Sequence, residues 1–300
     1  MITIAIPCYK SDKRFLNKAI ESVLEQTSEH WYLILVDGNS QPDAELENKV
    51  KSLSHKNVSY YYNNKDRTMA GNWNCALEQS KSELVCLLHD DDYLNKNYVE
   101  EVLKYSELFP NSALYFADVF LVNESGLPTN SVADQIKPLI KPRTNGDVLH
   151  LSDEQGLTSL LKGCYIYCPS ITYRRSSLPK PAFSSQWKMV TDLSLYCELL
   201  IQGKVLTGIN KKLYVYRRHS QNQTAKLTKN FIRFDEEIEL YENVAKQTAN
   251  NWPRASNEAK KKRIIKLHLV FTITKSLLSF DFKYAKELVS FYFAQFPLIK

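Results

Sequence analysis

Several absences bound what this chain of 300 residues is. No run of about 18 apolar residues occurs, so no segment reads as a bilayer-crossing helix. The opening MITIAIPCYK has no basic stretch followed by an apolar one, which is not the pattern of a secretory signal. The six cysteines (8, 75, 86, 164, 168 and 197) form no CxxC pair. They read as reduced, mostly buried thiols of a cytoplasmic protein, and Cys164 and Cys168 lack a partner pair at zinc spacing. Glycine is missing from PCYKSDKRF, so the first loop is not a glycine-rich phosphate cradle. There is no internal repeat and no low-complexity tract. With 44% hydrophobic and 24% charged residues, disorder is not expected. The net charge of +6 is concentrated late, in RASNEAKKKRIIK (254–266). That run adjoins no recognition motif, so nucleic acid is not an expected partner.

What is present alternates. ITIAIPCY (2–9) is short, β-branched and apolar, as a strand buried on both faces should be. SDKRFLNKAIESVLEQT follows with apolar residues at helical spacing behind the caps Ser11 and Asp12. WYLILVDGNS (31–40) is a second buried strand, making a right-handed βαβ unit. Helices near 42–54 and 70–80, with strands at VSYYYNN and ELVCLLH, continue the pattern. This predicts an α/β fold with an open, doubly wound sheet, whose ligands collect beyond the carboxyl ends of the strands. Further on, the expectations are a helix at NYVEEVLKYSELF, a strand at ALYFADVFLV, a loop over 124–146 and a helix near 153–162. Strands at CPSITYRR and KLYVYRRH should flank the helix DLSLYCELLIQ, and everything from about 226 should be helical.

Three strand ends carry polar residues: PCYK, DGNS and HDDD. Consecutive carboxylates offer hard oxygen ligands for magnesium or manganese, with a diphosphate completing the coordination. The competing reading is an acidic turn that caps the next helix.

TIAIPCYKSDKRFLNKAIESVLEQT, LILVDGNS and LLHDDDYL, in this order and at these distances, resemble the successive blocks of glycosyltransferase family 2. These are inverting enzymes of GT-A type that use nucleotide sugars, and the likeness spans about residues 2–220. It implies a Rossmann-like, mostly parallel sheet flanked by helices. It implies that Pro7, Tyr9 and Asp37 bind the nucleoside. The acidic cluster would hold a divalent metal through Asp91 and Asp92, with Asp90 near ribose or metal. His89 stands where an acid is usual and reads as structural or ribose-facing. In NNKDRTMAGNWNCAL (63–77), Arg67 would meet a phosphate and Gly71 would allow close backbone approach; ordinary capping is the alternative there.

The same resemblance makes Asp192, in WKMVTDLSLYCELL, the catalytic base, although Thr191 replaces the acid that usually precedes it. Helix capping would also explain this carboxylate. Trp187 is a sugar-stacking or a packing residue. In YVYRRHSQNQTA the family's Arg-x-His-like element implies that His219 and Arg218 reach the diphosphate, His219 also serving the metal. The reading is thus a metal-dependent transferase moving a sugar, with a UDP donor expected, to a hydroxyl of a polysaccharide or lipid-linked oligosaccharide. The alternatives are a nucleotidyltransferase or a non-catalytic nucleotide-sugar binding protein. Residues 1–225 would form the catalytic domain (1–95 nucleotide half, 96–225 acceptor half). Residues 226–300 would form a helical extension whose 254–297 stretch is suited to peripheral contact with a membrane's inner face.

Overall fold

The first apolar run becomes β1 (Ile2–Cys8), nearly all buried because parallel strands flank it on both sides: β2 (Trp31–Asp37) and β4 (Leu84–Leu87). β3 (Val58–Tyr62) adds to β2 in parallel and is only half-buried, as befits the sheet edge. The computed structural model describes residues 1–144, 146–219 and 227–297. Alternation along β1 sets up two cores. Ile2, Ile4, Ile6 and Cys8 point into one layer with Leu16, Ile20 and Val23 of α1 (Lys13–Leu24). Ala5 points into the other, with Trp73 and Leu77 of α3 (Met69–Gln79). The Asp12 side chain caps α1 by accepting from the Arg14 N–H. Between β2 and β3 lies α2 (Ala44–Leu53), capped by Asp43.

Beyond β4 the sheet becomes mixed. β4 pairs antiparallel with β8 (Ile171–Arg174), β8 antiparallel with β6 (Ser112–Asn123), and β6 parallel with β9 (Val205–Arg218). The order is β3-β2-β1-β4-β8-β6-β9-β5 within nine strands, with β5 (Tyr93–Leu94) and β7 (Val148–Leu151) both antiparallel to β9. The remaining helices up to residue 219 are α4 (Tyr98–Leu108), α5 (Val132–Ile140), α6 (Asp153–Leu161) and α7 (Thr191–Ile201). The described tail is α8 (Ile232–Thr248), α9 (Pro253–Lys261), α10 (Arg263–Leu278) and α11 (Phe282–Gln295).

The tail shares the core of the layer that contains α6 and α7. Phe234, Tyr241, Ile265, Leu269 and Leu288 belong to the same buried cluster as Leu160, Tyr196 and Leu199. The Tyr241 hydroxyl also donates to the Leu161 carbonyl at 3.0 Å. The expected boundary at 225 falls outside the described residues.

Four expectations need correction. The stretch 124–146 is not all loop: a capping box between Ser131 and Asp134 starts α5, which accommodates Pro138. The strand at CPSITYRR is shorter than expected, because Cys168–Ser170 is a 3-10 turn. KLYVYRRH is only the second half of a 14-residue strand. The short β5 and β7 were not anticipated at all, since two and four residues carry no usable periodicity.

Candidate active site

The ends of β1, β2 and β4 lie side by side, which is what brings the acidic residues together. Cys8, at the end of β1, registers this: burial pushes its thiol well up, and the charges of Asp90 and Asp37 push it further. Asp37 is fully buried. Its Oδ1 accepts from the Asn39 N–H at 2.8 Å, and its Oδ2 accepts from the Asp43 N–H and the Tyr60 hydroxyl, both at 2.7 Å. The carboxylate thereby shapes the 38–43 turn from beneath. Asn72 ties this turn to its neighbours, its Nδ2 donating to the Val36 carbonyl at 3.2 Å. A Cβ on Gly38 would come within 2.9 Å of that same nitrogen, so the tie requires glycine. Tyr9 is exposed on the rim, beside Pro7.

The three aspartates after β4 face three ways. Asp90 turns back to β1, accepting from Ser11 Oγ and the Tyr9 N–H; burial first, then the Asp91 charge, raises its carboxyl to about 6. Asp92 is fully buried, accepting from the Arg217 N–H at 2.7 Å and the Tyr214 hydroxyl at 3.2 Å. Burial and the neighbouring Asp91 hold its carboxyl well above the usual range. Asp91 is partly exposed, its side chain 28% accessible, and its Oδ2 accepts from His219 Nε2 at 2.8 Å. Burial opposes its ionisation, but the His219 bond and the nearby His89 outweigh that, so its carboxyl sits below the ordinary value.

Arg217 staples this turn to β9: its Nε donates to the Asp91 carbonyl at 2.9 Å, and its guanidinium lies 4.4 Å from the Phe15 ring centre. Arg218 donates to Asp134 Oδ1 at 2.5 Å, while its buried Nε has no hydrogen-bond partner among the described residues. A buried guanidinium N–H without a partner suits an incoming anion such as a diphosphate oxygen.

His89, Asp91 and Asp92 offer ligand atoms that all lie within 4.8 Å of one another. That spacing and a donor set of two carboxylates and an imidazole fit a divalent cation. His89, which the sequence left aside, is therefore the third member; burial lowers the value of its imidazole, with Asp91 and Asp192 acting in the opposite sense. His219, expected at the metal, is not one of this trio and bonds instead to Asp91.

Asp192 stands in the first turn of α7, whose cap residue is Val190, so the carboxylate is not the helix cap. Burial raises its carboxyl, offset in part by the N–H groups of Leu193 and Asp192 and by the Lys137 charge. The Tyr196 hydroxyl donates to its Oδ2 at 3.3 Å. Lys137, unnoticed in the sequence, hangs from α5 with its Nζ on the Ile166 carbonyl at 3.0 Å and 3.8 Å from the Tyr167 ring centre. Thr191, in place of an acid, donates to the Trp187 carbonyl at 2.9 Å, and Trp187 is a buried packing residue.

The acid that serves the start of α7 comes from the tail. The Glu236 carboxylate accepts from the backbone N–H groups of Lys188 (2.9 Å), Met189 (2.7 Å) and Val190 (3.3 Å). Nothing in the sequence pairs these segments.

In the 63–77 loop, Arg67 donates to the Ser40 carbonyl at 2.8 Å on the rim. The close approach at Gly71 is made by the Asp66 carboxylate, with which a Cβ there would collide.

The family model for glycosyl transferase family 2 matches residues 3–159. The glucosyltransferase WfaP of Escherichia coli is 24% identical over 238 residues, covering 78% of this chain and 83% of WfaP. The putative teichuronic acid biosynthesis glycosyltransferase TuaG of Bacillus subtilis is 23% identical, covering 72% of this chain and 79% of TuaG. Among solved structures, S. aureus TarS 1–349 in complex with UDP superposes with a TM-score of 0.64 at 15% identity, covering 92% of this chain and 73% of that one. The likeness to TarS establishes the fold, the GT-A type. With the family model spanning more than half of the chain, the protein belongs to glycosyltransferase family 2 and is a glycosyltransferase enzyme.

Proposed function

We propose that the protein transfers a sugar from a UDP donor, with inversion, to a hydroxyl of a saccharide carried on a lipid diphosphate, in the assembly of a surface polysaccharide. The observation that carries this is the trio His89, Asp91 and Asp92, whose ligand atoms lie within 4.8 Å of one another, with the charge of Asp192, a carboxyl raised by burial, also acting on His89. WfaP is named as acting on a diphosphoundecaprenol-linked GlcNAc with a UDP-glucose donor, which supports the donor and acceptor classes.

On this reading Asp91, with His89 and Asp92, holds a divalent cation, manganese or magnesium. When bound, that cation supplies charge neutralisation to the diphosphate as it leaves. The rest falls to the chain. Tyr9, Pro7 and the turn shaped by Asp37 receive the nucleoside. The Nε of Arg218, without a partner among the described residues, and the amine of Lys137 offer donors to phosphate oxygens, and His219 orients Asp91. Asp192 accepts the proton of the acceptor hydroxyl as that oxygen bonds to the anomeric carbon and the bond to the diphosphate breaks. A carboxyl with a raised value is the stronger base for this step.

A panel of nucleotide sugars with manganese, scored for release of nucleoside diphosphate, tests the reading. One UDP-sugar should be consumed, and Asp192→Asn should abolish transfer while keeping nucleotide affinity. A wild type that binds a donor without turning it over would refute the catalytic role.

A further inference from the structure

The apolar surface that the tail leaves uncovered gathers on one helical hairpin. α10 is apolar on both sides. Ile265 and Leu269 are buried, while Arg263, Leu267, Val270, Phe271, Thr274 and Leu278 line the opposite, exposed face at helical spacing. On α11 the exposed stripe is Phe282, Lys286, Val289 and Phe293. The turn between them presents Leu278, Phe280 and Phe282 at 77%, 80% and 61% exposure. Single exposed apolar residues are ordinary, but a contiguous set of this kind marks a docking surface.

Charge says what docks there. Residues 263–297 hold five lysines and arginines against two carboxylates, Asp281 and Glu287. Asp281 is occupied in capping α11, accepting from the Tyr284 N–H at 3.2 Å. Lys275, Lys283 and Lys286 are exposed beside the apolar turn. A second copy packed symmetrically on this face would set its positive rim against another positive rim. With 16 residues α10 is about 24 Å long, short of the roughly 30 Å hydrocarbon core, and no described helix is long and apolar enough to cross a membrane.

We propose that the α10–α11 hairpin docks on an anionic lipid bilayer, with Leu278, Phe280 and Phe282 entering the acyl boundary and Lys275, Lys283 and Lys286 at the headgroups. This gives the tail a task separate from the chemistry at Asp192, and it places the enzyme where lipid-carried acceptors lie.

The test is sedimentation of the full chain with phosphatidylcholine vesicles, with and without phosphatidylglycerol, in the absence of donor or acceptor. Its outcome is therefore independent of the catalytic reading. Wild type should sediment with the anionic vesicles and be released by salt. Lys283→Glu with Lys286→Glu should weaken partitioning by at least about twentyfold. Phe280→Ser with Phe282→Ser should weaken it by about a hundredfold. Both variants should keep the wild-type melting temperature, since these side chains touch little of the core. Wild type remaining in the supernatant would overturn the proposal. So would self-association in solution that the phenylalanine variant abolishes, because a second copy would then cover the face.

Discussion

Replacing Glu236 probes whether the tail positions Asp192, the proposed base. Glu236 lies on α8, yet its carboxylate collects three N–H groups from residues 188–190, the segment that leads into α7 and Asp192. Val190 supplies no side-chain cap, and the Asp192 carboxylate binds N–H groups further along the turn, those of Leu193 and Asp192. Losing an N-terminal cap costs about 1 kcal/mol, and bonds from a charged acceptor add to that. For a half-buried carboxylate on three donors, Glu236→Ala should cost about 2 kcal/mol of stability, and Glu236→Gln, which keeps an acceptor oxygen, about 1 kcal/mol. The catalytic effect should be larger than stability alone explains. A shift of about 1 Å in a reacting group costs up to about a hundredfold in rate. Steady-state turnover measured well below the melting temperature should therefore show kcat falling about ten- to a hundredfold in Glu236→Ala, with KM for the donor changed by no more than about threefold. Glu236→Gln should recover most of the loss. If Glu236→Ala melts earlier but keeps its kcat, the residue is only a structural cap and the positioning argument is refuted.

Asp192 has a raised carboxyl, so its folded-state value lies above its unfolded one. In its proposed role as base it must be ionised, and kcat should rise with pH along a limb above the ordinary carboxylate range, a limb that Asp192→Asn removes along with activity. The same shift means the folded form holds its proton more tightly, so ionisation destabilises the fold and Asp192→Asn should melt later than wild type at neutral pH. His268, half-buried against Phe234, has its value lowered by burial to about 3. The unfolded chain takes that proton first as pH falls below about 6.5, so stability is lost between about 6.5 and about 3. Chemical denaturation near pH 4 should show His268→Gln sparing about 2–3 kcal/mol of the acid loss seen in wild type; identical acid profiles would contradict this. Gly71→Ala should destabilise by about 2 kcal/mol or more through the clash with Asp66, and Asp66→Gly should restore much of it; additive effects would show the two do not meet.

The parallel half of the sheet was legible because its signals are local and repeated. The apolar runs of β1, β2 and β4 and the helical spacing of Phe15, Leu16, Ala19 and Ile20 each fit only one kind of element. The convergence of Asp37, Asp90 and Asp91 on one edge followed from that alternation. What the sequence hid depends on long-range partners. α5 was masked by flanking proline and glycine, and its capping box outweighs them. His89 joins the acids only because β4 ends where it does, and Glu236 lies 46 to 48 residues from the N–H groups it binds. Arg217 and Arg218 are adjacent and alike in sequence, but the alternation of β9 sends one to the Asp91–Asp92 turn and the other to Asp134.

The central claim is that a cation held at Asp91 meets a nucleoside diphosphate beside it. Calorimetric titration of UDP into wild type and Asp91→Asn, each with and without manganese, tests it most directly. Manganese should tighten UDP binding to wild type by about tenfold or more and leave Asp91→Asn unaffected. UDP binding that is equally strong with and without the metal, or equally metal-dependent in Asp91→Asn, would contradict the account.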